Sequence, residues 1–434
     1  MSPFDSLRLF SHYKCFFAHH QEEVLLLLRF LKRPARYFSA YIQRAPITVL
    51  PESLFSKVIG CSDGRNPISP AFAPPRKSLL FRRFLWYTGR SRLNEVDRLM
   101  NGYGTNRGRC LVGDAAELLN TLDDGSVNLV VTSPPFALLR QKNYGNLEQG
   151  AYVSWLCAFG KQVHEKLTED GSFVIDLGGA YNRGSPTYSL YQFRVLIEMC
   201  DSVGFHLAQP FYWHNTSALP APVEWVNKRK LRAKSSVNTV WWLSKTEWPK
   251  ADIRKVLSPY SPRMHHLIEK PEDFVKTEGD KRPSGHVMKK SSWAKDNGGA
   301  IPSNLLQYPN SDSNSQYLRY CKALSIKGHP ARFPGALPEF FIKMLTDEDD
   351  LVLDIFSGSN TTGYMAETLG RRWLSFEIHQ EYVASSVFRF SDSVEQAEQN
   401  YNAIMAGQFL TLSPKIEITH TVHAEHQPKQ EDDQ

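Results

Sequence analysis

Residues 129–146 read LVVTSPPFALLRQKNYGN, an apolar run that stops at Ser133-Pro134-Pro135-Phe136. Proline holds φ near −65° and pushes the residue before it into an extended conformation. Ser133 and Pro134 each precede a proline, so both are held extended, and neither proline carries an N–H. The stretch therefore offers a serine hydroxyl and carbonyl oxygens in a stiff acceptor array. Such an array suits a flat group bearing an NH2, with Phe136 supplying a stacking face. Stacking a base on an aromatic ring contributes roughly 1–3 kcal/mol, which helps offset the cost of unpairing and extruding it. Taken alone, the same residues would also suit a plain turn that ends a strand beside a surface ring.

A second chemical constellation lies near the other end of the chain. Leu351-Val352-Leu353-Asp354-Ile355-Phe356-Ser357-Gly358-Ser359 puts an acid at the carboxyl end of a predicted strand, then a small-residue turn into a helix. In doubly wound sheets ligands collect there, because backbone N–H groups and a helix start converge. Glu377 follows Asp354 by 23 positions, at the end of the next predicted strand. That is the usual place for an acid that binds ribose hydroxyls. The plainer possibility is that Asp354 caps a helix and Glu377 is a solvated strand end. No GxxxxGK[ST] loop is present, which argues against ATP or GTP. A nucleoside without a polyphosphate fits better, with S-adenosyl-L-methionine the leading candidate.

Both constellations need strands to position them, and the pattern supplies these. From about 110, CLVGD predicts a strand, AAELLNTL a helix, and VNLVVT the strand that meets the proline pair. Residues 151–167 predict a helix, SFVIDLGG a strand, 189–203 a helix, and GFHLAQPFYWH and SSVNTVWWLSK two further strands. DLVLDIFSGSN, TTGYMAETLG and RRWLSFEI then repeat strand, helix, strand. Alternation of this kind implies a mostly parallel, doubly wound α/β sheet. The predicted divisions are a basic, poorly ordered extension (1–100), a catalytic half (101–245), a target-recognition insertion (246–328), a cofactor half (329–400) and a polar tail (401–434). Met100 directly precedes the patterned region, and translation is expected to start at or near it; N-terminal sequencing of the native protein checks this.

Bulk composition narrows the class. No apolar run approaches the roughly 20 residues of a membrane helix, and no secretory signal is expected. Six scattered cysteines without CxxC spacing, and fourteen histidines without HExxH, argue against disulfides and metal and suggest a reducing cytoplasm. The net charge of +6 is uneven, since residues 1–100 hold 16 basic against 7 acidic side chains. Polyanion binding must therefore be sought locally. Lys228, Arg229, Lys230, Arg232 and Lys234 place five cations within seven positions and are read as phosphate contacts to DNA, against the commoner solvated basic loop.

TSPPF, followed by HPARFPGALPEFFIKML and DIFSGSNTTG, resembles the β-group of amino-methylating DNA methyltransferases, in which the catalytic motif precedes the cofactor motif. The likeness extends through YGN, the PAPVEWVNKRKLRAKSSVNTVWWLSK stretch and SPRMHHLIEK, and covers roughly 105–410. One departure is Ile355, where that group often has proline after the acid. The resemblance implies a seven-stranded Rossmann-like methyltransferase sheet. Ser133, Pro134, Pro135 and Phe136 are then the target-base pocket. Phe356, Gly358, Ser359 and Thr361 line the cofactor loop, Glu377 takes the ribose, and Asp354 anchors the loop. Asp114 faces the adenine ring, and His329, Ala331, Arg332, Phe333 and Pro334 flank the methionine part.

The implied activity is methyl transfer from S-adenosyl-L-methionine to the exocyclic N4 of a flipped cytosine in double-stranded DNA. CAGCTG or a close palindromic variant is the expected site, within a bacterial restriction-modification system whose endonuclease need not touch this chain. The chain has no Pro-Cys dipeptide of the kind cytosine-C5 enzymes share. Adenine-N6 methylation is the nearest alternative, though its members usually show Asp in place of Ser133. RNA or protein methylation, or a non-catalytic DNA-binding relic, are more distant alternatives.

Overall fold

The computed structural model describes residues 101–136, 149–182, 184–270, 273, 296–310 and 315–419, all within one unit of the chain, 74–434. The basic extension 1–100, the YGN stretch and most of 271–295 lie outside the described residues.

The described residues begin with β1 (Gly102–Gly104), β2 (Gly108–Val112), α1 (Ala115–Leu119) and β3 (Val127–Thr132). Next come α2 (Gln149–Lys166), β4 (Leu167–Leu177), α3 (Tyr191–Glu198), β5 (His206–His214) and β6 (Val237–Ser244). The region 246–328 contributes α4 (Pro262–Glu269), β7 (Leu305–Gln307) and α5 (Gln316–Ala323). The last part is α6 (Ala336–Leu345), β8 (Leu351–Asp354), α7 (Thr361–Thr368), β9 (Arg372–Glu377), α8 (Gln380–Ser386), α9 (Val394–Met405) and β10 (Phe409–Thr411).

The ten strands of the described residues join one sheet in the order β10-β1-β2-β9-β8-β3-β4-β6-β5-β7. The count exceeds the seven expected. The doubly wound alternation accounts for β2-β9-β8-β3-β4-β6-β5, and three strands of three residues, β1, β7 and β10, extend the two edges. Runs that short carry no readable period. Of the expected polar tail, residues 401–419 are described; they finish α9 and add β10, with Ile404 and Leu412 buried.

The central pairs β2–β9, β9–β8, β8–β3 and β3–β4 are parallel, while β6 runs against both β4 and β5. Strand side chains alternate between faces, and both faces are covered. Leu129, Val131 and Val352 enter a core shared with α6 and α8, whereas Val130 and Leu353 enter one shared with α1 and α2. Burial on both sides explains why VVT and LVL read as unbroken apolar runs. Each such Val or Leu contributes about 1.5–3 kcal/mol over its exposed state.

The chain leaves β3 toward β4 on one side and β8 toward β9 on the other, so the crossovers diverge between β8 and β3. Their carboxyl ends flank a crevice where ligands bind in open α/β sheets.

Candidate active site

That crevice holds a cavity of about 330 Å³. Ser133, Pro134, Pro135 and Phe136 line one end, and Phe356, Gly358, Ser359, Thr361 and Glu377 line the other. The two motifs, more than 200 positions apart in sequence, thus share one chamber. They are also tied directly, because Thr132 Oγ1 donates to Asp354 Oδ1 at 2.7 Å.

β3 ends at Thr132, and the four residues after it have no regular structure. Phe136 packs over Gly178, where an added Cβ would lie 2.3 Å from its ring. Ser133 Oγ donates to Asp176 Oδ2 at 3.1 Å, and Asn238 Nδ2 donates to Asp176 Oδ1 at 3.0 Å. With its hydrogen on Asp176, the serine oxygen keeps lone pairs for an incoming donor. Asp176 is buried, and this desolvation pushes its carboxyl up to about 6; the bonds from Asn238 and Ser133 pull the other way without cancelling it.

Asp176 and Asn238 were not singled out in the sequence, although both line the cavity. The signal was present: SFVIDLGG carries an acid at a strand's carboxyl end just as LVLDIF does. Asn238 is likewise a polar residue near the start of a β-branched run.

At the other end Asp354 is fully buried and anchors the 355–361 turn rather than facing the open cavity. Its Oδ1 accepts from Thr132 and from Phe356 N at 3.1 Å, and its Oδ2 accepts from Thr362 Oγ1 at 2.7 Å. Burial raises this carboxyl to about 6 as well. Gly358 has φ +50, a conformation glycine adopts freely, and its N–H donates to Glu377 Oε2 at 2.9 Å. His379 N donates to Glu377 Oε1 at 2.9 Å, so two backbone N–H groups aim this carboxylate. Beside it Ile378 is 61% exposed on the cavity wall, an apolar surface next to an acid. Arg389 braces the loop from behind through Ser359 O at 2.7 Å and Thr361 Oγ1 at 3.0 Å.

These residues fit S-adenosyl-L-methionine: a carboxylate for ribose hydroxyls, an apolar wall for a base, and a backbone turn that a side chain would obstruct. His329, Ala331, Arg332 and Phe333 complete the wall.

Three of the expected groups have partners elsewhere in the structure. Asp114 is exposed and is not among the cavity residues; its carboxylate caps α1, accepting from Ala116 N at 2.8 Å. Pro334 is buried behind the wall, where its carbonyl accepts from Leu337 N at the start of α6. The basic run is largely engaged within the chain. Lys228 and Arg229 pair with Glu224, Lys234 Nζ donates to Ala218 O at 2.9 Å, and Arg232 sits against two tyrosine rings. Among the described residues no group of three or more His, Cys, Asp or Glu is placed to hold a metal ion, and no helix is long and apolar enough to cross a membrane.

Comparison with known proteins agrees with this geometry. A family model described as DNA methylase matches residues 127–388. The type II methyltransferase M.PvuII of Proteus hauseri is 60% identical over 317 residues, 72% of this chain and 94% of that protein. M.ScaI of Streptomyces caespitosus is 26% identical over 280 residues, 64% of this chain and 79% of its own length. A solved structure described as PvuII DNA methyltransferase (cytosine-N4-specific) superposes with TM-score 0.59, covering 72% of this chain and 97% of that one, at 52% identity over the superposed residues. A shared chamber for a rigid Ser-Pro-Pro-Phe tip and a cofactor loop, with a matching sequence along most of the described chain, places this protein in the N6/N4 DNA methylase family.

Proposed function

We propose that the chain methylates the exocyclic N4 of cytosine in duplex DNA, at CAGCTG or a close palindromic variant, using S-adenosyl-L-methionine. The observation that carries this is the single cavity bounded by Ser133–Phe136 at one end and Gly358–Glu377 at the other. The relative at 60% identity, and the solved structure described as cytosine-N4-specific, support cytosine over adenine.

Glu377, Gly358, Ser359, Thr361 and the 331–333 wall would hold the cofactor, which supplies a methyl carbon made electrophilic by its sulfonium. The chain's own part is to position and neutralise the amine. Phe136 would stack on the extruded base, and Ser133 Oγ and the Pro134 carbonyl would accept the two N4 protons. As N4 gains positive charge these bonds become charge-assisted and strengthen about twofold. They therefore favour the transition state over the ground state. Asp176 holds the Ser133 hydrogen, so the departing proton would have a route through the hydroxyl to a carboxylate that burial raises to about 6.

Relatives described as type II methyltransferases support a further reading, a bacterial cytoplasmic enzyme paired with a cognate restriction endonuclease it need not contact. The decisive experiment is incubation with labelled S-adenosyl-L-methionine and plasmid DNA, followed by digestion to nucleosides and mapping. N4-methylcytosine, and protection of the plasmid from an endonuclease that cuts CAGCTG, are expected; N6-methyladenine or unlabelled DNA would refute the proposal. Ser133→Ala is expected to lose most of kcat while cofactor affinity, measured by titration, stays near wild type.

A further inference from the structure

The five cations of 228–234 differ in what surrounds them. Lys228, Arg229, Lys230 and Lys234 are exposed, whereas Arg232 is half-buried. Its guanidinium carbon lies 4.5 Å from the ring centroids of both Tyr181 and Tyr188, which themselves are 4.8 Å apart. The same guanidinium donates to the Pro186 carbonyl, within the loop that joins the two tyrosines. Both phenol hydroxyls meet one atom, Ser235 Oγ, Tyr188 at 2.9 Å.

This cluster reaches the cavity by two routes. Ser235 and its neighbour Ser236 line the wall directly. The Tyr188 ring also packs on Gly179, where an added Cβ would lie 2.3 Å from it, and the adjacent Gly178 backs the Phe136 ring equally closely. A planar cation set against two rings and a carbonyl is a shape that a lysine ammonium cannot reproduce. Lys230, by contrast, is exposed with φ +53, and among the described residues its ammonium has no hydrogen-bond or ion-pair partner.

We propose that Arg232 is a positioning residue for the target-base pocket, clamping Tyr181 and Tyr188 so that Ser235–Ser236 and Gly178–Phe136 keep their places, while phosphate contact within the run falls to Lys230. The inference rests on the methyltransferase reading above. It divides one basic run into a part that holds the pocket and a part that holds DNA.

Steady-state methylation at several salt concentrations tests it, using Arg232→Lys, Arg232→Ala and Lys230→Ala beside the wild type. A pocket displaced by about 1 Å loses turnover by up to about a hundredfold, so both Arg232 variants should lower kcat at saturating DNA at least about tenfold. Their cofactor dissociation constant should remain near wild type, and the slope of log KM for DNA against log salt should not change. Lys230→Ala should reduce that slope by about one, the signature of one lost phosphate contact. Arg232→Lys keeps the charge and is the milder change, so it decides the matter if Arg232→Ala folds poorly. Full turnover in Arg232→Lys, or a slope reduced by about one with kcat retained in Arg232→Ala, would overturn the inference alone. A wild-type protein that transfers no methyl group to DNA would overturn the methyltransferase reading with it.

Discussion

A serine hydroxyl is a modest hydrogen-bond acceptor until something else takes its hydrogen. Here Asp176 does so, and under the proposed mechanism its ionisation would set the pH range of turnover. Burial lifts this carboxyl from an ordinary 3.8 to about 6. Below about 6 the protonated acid no longer draws the Ser133 hydrogen as a carboxylate does, and the relay loses its terminus. The expected outcome is a kcat that falls as pH drops through about 6 and levels off above it. Asp176→Asn should cut kcat by about 10²–10⁴-fold, the usual range for a lost acid–base group, and should remove that acid limb. A pH–rate profile at saturating DNA and cofactor reads both effects. A wild-type limb centred near 4, the ordinary carboxylate range, would show that Asp176 does not serve the reaction.

Between elements, β3 and β8 are tied at both ends by side chains: Leu351 N donates to Asn128 Oδ1 at 2.9 Å at the start, and Thr132 meets Asp354 at the tips. The strands share the pairs Leu129↔Val352 and Val130↔Leu353, and beyond these the Thr132–Asp354 bond fastens the tips. Thr132→Val preserves shape and removes the donor, leaving a buried carboxylate oxygen with one partner fewer. A loss of about 1–3 kcal/mol is expected, measured as a lowered urea midpoint with unchanged slope. The end of β4 makes a tighter demand. Gly178→Ala would put a methyl 2.3 Å from the Phe136 ring, so the ring must move. The expected result is a large loss of turnover with a much smaller change in Tm. Wild-type turnover in this variant would show that the ring position does not matter for the base.

Across the molecule, one ligand should bridge both halves of the doubly wound sheet, since the chamber takes its walls from the ends of β3, β4, β8 and β9. Such binding to the folded state alone stabilises it by about 2.7 kcal/mol at a hundred times Kd. Thermal melts with S-adenosyl-L-methionine should therefore show a concentration-dependent rise in Tm, and Glu377→Ala should lose most of it. Equal rises in wild type and variant would remove Glu377 from the binding site. The region expected to read DNA bases is not set apart at its ends: β7 pairs with β5, and Tyr317 and Cys321 of α5 join the main core.

Much of this was legible in the chain itself, because some residues constrain their neighbourhood without help from a distance. Two prolines stiffen the tip after β3 wherever it lies. Apolar runs between turn signals mark central parallel strands, and an acid ending such a run before Gly358 marks a ligand end. Residues 127–132 and 361–368 follow the expected boundaries closely for that reason. The capping role of Asp114 carried a mark too, since Asp114 followed three positions on by Glu117 is a helix-start signature. Edge strands of three residues carried no such mark. Nor could spacing tell which cations are free: Arg232 reads like its neighbours until two tyrosines more than 40 positions away close on it. Asp176 needed the partner strand β6 to bring Asn238 beside it, and burial to raise its carboxyl. Local stereochemistry is written residue by residue, whereas desolvation and hydrogen-bond partnership arise only when distant segments pack together.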